Sequence, residues 1–289
     1  MRFDYYEPAT ISECVEMLTY YGPEAHLLAG GTDLVVKIRL RLVRPRVVIS
    51  LGSLEELKKL ERKNDGSLEI GAMKTLREIE QSNALAKDFD LIRQGAGCVS
   101  SMQVRNVATL GGNSCNASPS ADTVPGLIAA DAVTRIVGPG RERLLPLEEF
   151  FVAPGKTTLQ TGEMLAGFQV PALPPSTGAV YKKFALRGEV DIAIVGVAAR
   201  LTLDESQRVK QARIVLGAVA PTPLRARGAE EVLFRRYPSD ELFMEAARVV
   251  AEDSRPITDQ RATAQYRKEM IKVWTRHALQ EAFQKACGS

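Results

Sequence analysis

Two glycine pairs constrain this chain more than any other feature of its sequence. They lie in Leu27-Leu28-Ala29-Gly30-Gly31-Thr32-Asp33-Leu34 and in Thr109-Leu110-Gly111-Gly112-Asn113. A Gly-Gly pair directly after a strand lets the backbone approach a bulky anion with no Cβ in the way, and leaves N–H groups for phosphate oxygens. Thr32 adds a hydroxyl donor to the first segment. A strand followed by Gly-Gly and a polar residue is also a common tight turn, so the first segment alone supports either reading. The second offers further amides, flanked by a hydroxyl and a carboxamide. Neither segment fits the G-x-G-x-x-G or Walker spacing. Separated by roughly eighty residues, the two together point to one diphosphate clamped from two sides.

Asp122 follows the second segment in Ala117-Ser118-Pro119-Ser120-Ala121-Asp122. A carboxylate beside a phosphate clamp is unfavourable unless it accepts hydrogen bonds from a sugar or ring donor. Asp is also a good helix N-cap, and the two readings are compatible.

With 289 residues, 45% of them hydrophobic, the chain is long enough for two or three compact units. Its 38 basic and 35 acidic residues are well mixed, which argues against nucleic acid as a partner. The richest basic stretch, Lys37 to Arg46, interleaves arginines with Leu and Val. It reads as an amphipathic element with a solvated face, or as a docking surface or anionic-ligand rim. The opening residues lack the apolar stretch of a signal peptide, and no apolar run is long enough to span a bilayer, so a cytoplasmic protein is expected. Cys14, Cys98, Cys115 and Cys287 show no C-x-x-C spacing; no metal site or iron–sulfur cluster is expected on this chain. Only His26 and His277 are present, which argues against a histidine-based triad, and no catalytic acid–base residue is nominated.

Thr10 and Glu13 signal the start of a helix running to Tyr21, which Gly22-Pro23 ends; Thr75 and Glu78 repeat the signal. Strands are expected at His26–Ala29, Val47–Leu51, Leu68–Ile70 and Val133–Val137, with a long glycine-containing loop at 109–121 and a helix from Asp122 to Ala130. The Pro-rich stretch 171–178 reads as a linker, which divides the chain into residues 1–175 and 176–289. Beyond it come strands at Ala179–Ala185, Ile192–Leu201 and Arg213–Val219, then helices near 228–236, 239–253 and 263–286, an α+β arrangement.

Together, Ala29-Gly30-Gly31-Thr32-Asp33-Leu34, Thr109-Leu110-Gly111-Gly112-Asn113, Ser118-Pro119-Ser120-Ala121-Asp122 and Lys183-Phe184-Ala185-Leu186-Arg187 followed by Asp191-Ile192-Ala193 resemble one family. It is the FAD-binding medium subunit of the xanthine dehydrogenase and carbon monoxide dehydrogenase (molybdenum hydroxylase) family, and the similarity covers nearly the whole chain. The resemblance implies an α+β protein: a PCMH/VAO-type FAD-binding domain of two α/β subdomains, then a small C-terminal α+β domain of the CO dehydrogenase flavoprotein type. It implies that the segments 27–34 and 109–113 hold the FAD diphosphate and that Asp122 binds a polar flavin or ribitol group. Val99 and Leu165 fall at apolar cofactor contacts, although each also suits ordinary core packing. Lys183 falls at a basic residue near the flavin ring, where positive charge favours the reduced form; Lys182 is its neighbour and alternative. The implied partners are a large subunit with the molybdenum cofactor and a small subunit with [2Fe-2S] clusters, assembled as a dimer of heterotrimers. This chain would then relay electrons from the clusters to NAD, a quinone or oxygen. Relatives that reduce aromatic coenzyme A thioesters carry a cysteine-rich insertion after the second segment; here Cys115 stands alone, against that subclass. The alternatives are a self-sufficient flavin oxidase or dehydrogenase and a non-catalytic scaffold.

Overall fold

The computed structural model describes residues 2–188 and 190–288. The N-terminal unit is a three-stranded parallel sheet with Val47–Ser50 between Asp4–Tyr6 and Ala25–Leu28. The central strand is buried along its whole length, as expected of a parallel strand covered on both faces. Helix Ile11–Tyr21 packs there through Cys14, Val15 and Leu18. The Thr10 hydroxyl accepts from the Glu13 amide, while Glu13 reaches back to the Ala9 amide and not to Thr10 itself. At Thr75 the capping box is complete and opens helix Leu76–Glu80.

The second unit is a five-stranded antiparallel sheet in the order Leu60–Arg62, Leu68–Gly71, Met164–Val170, Val133–Gly138, Arg141–Pro146. Its central strand comes last in the chain, and its two faces divide between cores. Met164 and Ala166 join the core of the first unit, whereas Leu165 and Phe168 join that of the second. This alternation ties the two units into one body. Helices Asp90–Gly97 and Thr123–Ala129 cover the second core and cross closely, since a Cβ on Gly126 would meet the Leu91 carbonyl oxygen at 3.0 Å.

The C-terminal unit is an antiparallel sheet, Thr177–Phe184, Val195–Leu203, Val209–Gly217 and Leu224–Arg225, packed against helices Arg227–Leu233, Asp240–Asp253 and Ala264–Cys287. Its first strand begins inside the stretch read as a linker. Tyr181, Ala198 and Val215 face back into the core of the second unit, so the sheet is buried on both sides. No helix among the described residues is long and apolar enough to cross a membrane.

The stretch 109–121, expected as a loop, contains a helix, Leu110–Cys115. Glycine is a poor helix former, so propensity argues against it by about 1 kcal/mol per glycine. Tertiary bonds override that preference: the Thr109 hydroxyl caps the Gly112 amide, and the Leu110 and Gly111 amides donate to Lys74 O and Ala72 O.

Candidate cofactor cleft

The three units meet around one cleft of about 740 Å³, lined from both glycine segments, the turn at 99–100, the start of helix Thr123–Ala129 and the C-terminal sheet. That size lies within the ~300–1,000 Å³ typical of small-molecule sites. Of the residues nominated from sequence, Leu27, Ala29, Gly30, Gly31, Thr32, Asp33, Leu34, Val99, Thr109, Gly111, Gly112, Asn113, Asp122, Leu165 and Lys183 lie on its wall. Leu28 and Leu110 do not. Leu28 alternates with Leu27 along its strand and turns away, and Leu110 is fully buried in the core of the second unit.

The two glycine segments, alike in sequence, are chemically different in space. The amides of Ala29 through Leu34 donate to no acceptor within the chain among the described residues. Gly31 supplies the left-handed backbone, at φ +73°, that turns the run toward helix Leu34–Arg39. Successive unpaired N–H groups around such a residue form a concave anion site. In the second segment the amides from Leu110 to Asn113 are all spent on Lys74 O, Ala72 O, Thr109 Oγ1 and Thr109 O. That segment therefore brings side chains to the cleft where free amides were expected. Asn113 accepts from the Thr123 hydroxyl at 2.6 Å, which leaves its amino group without a partner among the described residues.

Two of the glycines serve close packing of protein on protein. A Cβ on Gly30 would lie 1.9 Å from the Val107 carbonyl oxygen, and one on Gly111 would lie 2.6 Å from Ala72 Cβ. Across the gap, Lys37 Nζ donates to Asn116 Oδ1 at 2.7 Å and Asn116 Nδ2 to Asp33 Oδ1 at 3.1 Å, linking the two segments at the rim.

At the opposite end Asp122 occupies the N-cap position of helix Thr123–Ala129, yet its side chain makes no capping bond. It accepts instead from the Tyr181 hydroxyl at 2.7 Å and from Lys183 Nζ at 2.9 Å. Lys183 also donates to Cys98 O at 2.7 Å. Burial pushes the Asp122 carboxyl above its usual range, against the pull of Lys183 and Tyr181, and burial likewise raises the Tyr181 phenol well above normal. Lys182 points the other way, into an ion pair with Glu281.

Several wall residues carried no sequence signal of their own. Ala72 and Met73 arrive because strand Leu68–Gly71 ends at the cleft, and Ser100 because it adopts φ +48° between two helices. Lys37, the first residue of the basic stretch read as a solvated face, a docking surface or an anionic-ligand rim, reaches the wall from helix Leu34–Arg39. His26 lines the cleft with a buried Nδ1 that has no partner among the described residues. Cys115 is also at the wall, its thiol pushed up to about 12 by burial.

Residues 1–173 match the family profile described as the FAD binding domain in molybdopterin dehydrogenase. The chain belongs to the FAD-binding subunits of the molybdenum hydroxylase family. Residues 179–282 of this FAD-binding subunit match the CO dehydrogenase flavoprotein C-terminal domain. The subunit is 32% identical over 286 residues to the xanthine dehydrogenase FAD-binding subunit of Escherichia coli O157:H7, covering 98% of this chain and 97% of that one. It is 30% identical over 282 residues to the carbon monoxide dehydrogenase medium chain of Hydrogenophaga pseudoflava, covering 98% and 97%. The solved carbon monoxide dehydrogenase from Hydrogenophaga pseudoflava superposes with a TM-score of 0.94 at 30% identity, over 99% of this chain and 98% of that one. Quinoline 2-oxidoreductase from Pseudomonas putida 86 superposes at 0.92 with 27% identity, over 99% and 98%. The FAD-binding subunit is thus part of an oxidoreductase.

Proposed function

We propose that this chain holds FAD along the cleft and relays electrons within a complex. In that complex a large subunit with the molybdenum cofactor oxidises the substrate, and a small subunit with [2Fe-2S] clusters delivers the electrons. The assembly is a cytoplasmic dimer of heterotrimers, with NAD, a quinone or oxygen as final acceptor, and the chain divides functionally at residue 175. The observation that carries the reading is the run of unpaired amides at 29–34 at one end of the cleft, with the Asp122–Lys183–Tyr181 cluster at the other. An elongated ligand with a diphosphate at one end and a polar ring system at the other fits both.

Bound FAD supplies the exchange between one-electron and two-electron carriers. The chain's own residues bind and orient it. The amides of 29–34 and the Thr32 hydroxyl hold the diphosphate; Thr109 and Asn113 face it from the second segment. Asp122 accepts from a ring or ribitol donor, while Lys183 places positive charge beside the ring. Val99 and Leu165 give apolar contact. Each carboxylate on the described cleft wall has a partner. Asp122 is paired with Lys183, Asp33 is held by Asn116, and Asp191 by Arg187. This favours relay over a self-sufficient oxidase.

The test is purification with the native neighbours. Flavin released on denaturation, with molybdenum and iron in the same fractions, is expected. A metal-free single chain that oxidises a small molecule by itself would overturn the relay, and a colourless folded chain would overturn FAD binding.

A further inference from the structure

The turn joining helices Asp90–Gly97 and Met102–Arg105 puts Val99 and Ser100 on the cleft wall. Ser100 there holds φ +48°, a left-handed conformation that a residue with a Cβ rarely adopts and that neighbouring contacts must enforce. Arg105 supplies them. Its Nη1 donates to Ser100 O at 2.8 Å and to Val99 O at 3.2 Å, and its Nε donates to Glu80 Oε2 at 3.0 Å. Glu80 is itself held by Arg77 Nη1 at 2.9 Å and ends the short helix opened by the Thr75 capping box. The Arg105 side chain is only 9% exposed. A guanidinium kept out of water in this way, with two carbonyls and a carboxylate on its fork, is costly unless every bond is made.

Both carbonyls of the turn are thereby committed to Arg105 and withheld from the cleft. The amides of Ser100 and Ser101 donate to no acceptor within the chain among the described residues. The carbonyl one residue earlier, at Cys98, accepts from Lys183, so the same turn abuts the Asp122–Lys183 end of the cleft. A turn with its acceptors tied back and its donors unspent presents partial positive charge to whatever lies beside it.

Building on the function proposed above, we infer that Arg105 is a positioning residue for the cofactor. It holds the 98–101 turn so that the Ser100 amide donates to the electron-rich, carbonyl-bearing edge of the flavin ring next to Lys183. Arg105 itself touches no cofactor and acts through the turn. Because electron density on that edge grows on reduction, a donor there favours the reduced form more than the oxidised one.

The experiment uses the full chain with FAD. Arg105→Lys keeps the charge but loses the fork, and Glu80→Gln weakens the anchor without touching the turn. Each variant is compared with wild type in melting temperature without FAD, FAD dissociation constant, visible flavin absorption and flavin midpoint potential. We expect Arg105→Lys to bind FAD about tenfold more weakly, which corresponds to about 1.4 kcal/mol. Its midpoint potential should move negative and its visible band should shift, with Glu80→Gln moving both in the same direction by less. A purely structural role would lower the melting temperature and leave the spectrum and potential of the bound flavin unchanged; that result in either folded variant overturns the inference. If Arg105→Lys does not fold, Glu80→Gln decides by the same criteria. Wild-type chain that binds no FAD would instead overturn the proposed function itself.

Discussion

The Asp122–Lys183–Tyr181 cluster joins groups 59 and 61 residues apart and leaves both charges almost wholly out of water. Deleting one partner of a buried pair strands the other charge, at a cost of about 3–5 kcal/mol. Asp122→Ala is therefore expected to destabilise the FAD-free chain by that amount in urea denaturation. The double variant with Lys183→Met should recover part of the loss, giving a coupling of about 1–3 kcal/mol; additive losses would show that the pair is not coupled. Gly30 gives a second expectation. Alanine there must displace the Val107 carbonyl and should cost about 3 kcal/mol or more, whereas alanine at Gly31 meets mainly backbone strain at φ +73° and should cost about 1–2 kcal/mol, both read from melting curves. Asp122 was legible from its place after the second glycine segment, and Lys183 through the family resemblance alone. Tyr181 was not, because what qualifies it is long-range. Gln94 Oε1 accepts from its amide, and only a glycine at 196, in the next strand, leaves room for its hydroxyl, since a Cβ there would lie 2.5 Å from it.

Elements with their own start and stop signals were readable: the capped helices at Ile11–Tyr21 and Leu76–Glu80, and the long final helix Ala264–Cys287 behind Thr263. Elements set by contact were not, and helix Leu110–Cys115 is the clearest case, because two glycines mask it. The turn before the central strand Met164–Val170 is another. Glu163 there has a side chain only 1% exposed, with Arg143 on both its oxygens and Arg141 and the Gln160 amide adding to them. The Arg143 hydrogen bonds, helped by the others and opposed by burial, pull its carboxyl down to about 2. A folded-state value below the unfolded one means that the charged form stabilises the fold. The stabilisation is complete above about 4.5 and is lost as pH falls through the folded value near 2. Glu163→Gln should cost up to about 3 kcal/mol at pH 7, and the difference from wild type should shrink steadily as the pH is lowered from 5 toward 2. A pH-independent difference in chemical denaturation would show that the ion pairs contribute nothing.

At the scale of the whole chain, the cleft has walls from all three units, so ligand binding and domain association are one equilibrium. The boundary between the FAD-binding and C-terminal units is buried: Tyr181, Ala198 and Val215 complete the second core, and Asp131 accepts from Arg200 Nη2 at 2.5 Å and from Arg213 Nε at 2.7 Å. Arg200 is among the most deeply buried charges described, 2% exposed, and Asp131 holds its place with φ +56°. Two units that shared only a linker would unfold separately, and FAD would raise only the transition of the unit that holds it. Here the apolar interface and the arginine pair bind the units together, and Lys183 belongs to the cleft although it lies beyond the Pro-rich stretch. We therefore expect a single thermal transition, coincident by far-UV circular dichroism and tryptophan fluorescence, although Trp274 lies in the last helix, far along the chain from the glycine segments. FAD at a hundredfold excess over its dissociation constant should move that whole transition by about 2.7 kcal/mol. Asp131→Ala leaves two guanidinium groups facing each other across the interface and should lower the transition by about 3 kcal/mol. If the interface is what couples the units, the same variant should also split the two probes, with fluorescence losing its response to FAD before circular dichroism does. Coincident probes in the variant would instead mean that the apolar contacts at Tyr181, Ala198 and Val215 suffice to hold the units as one.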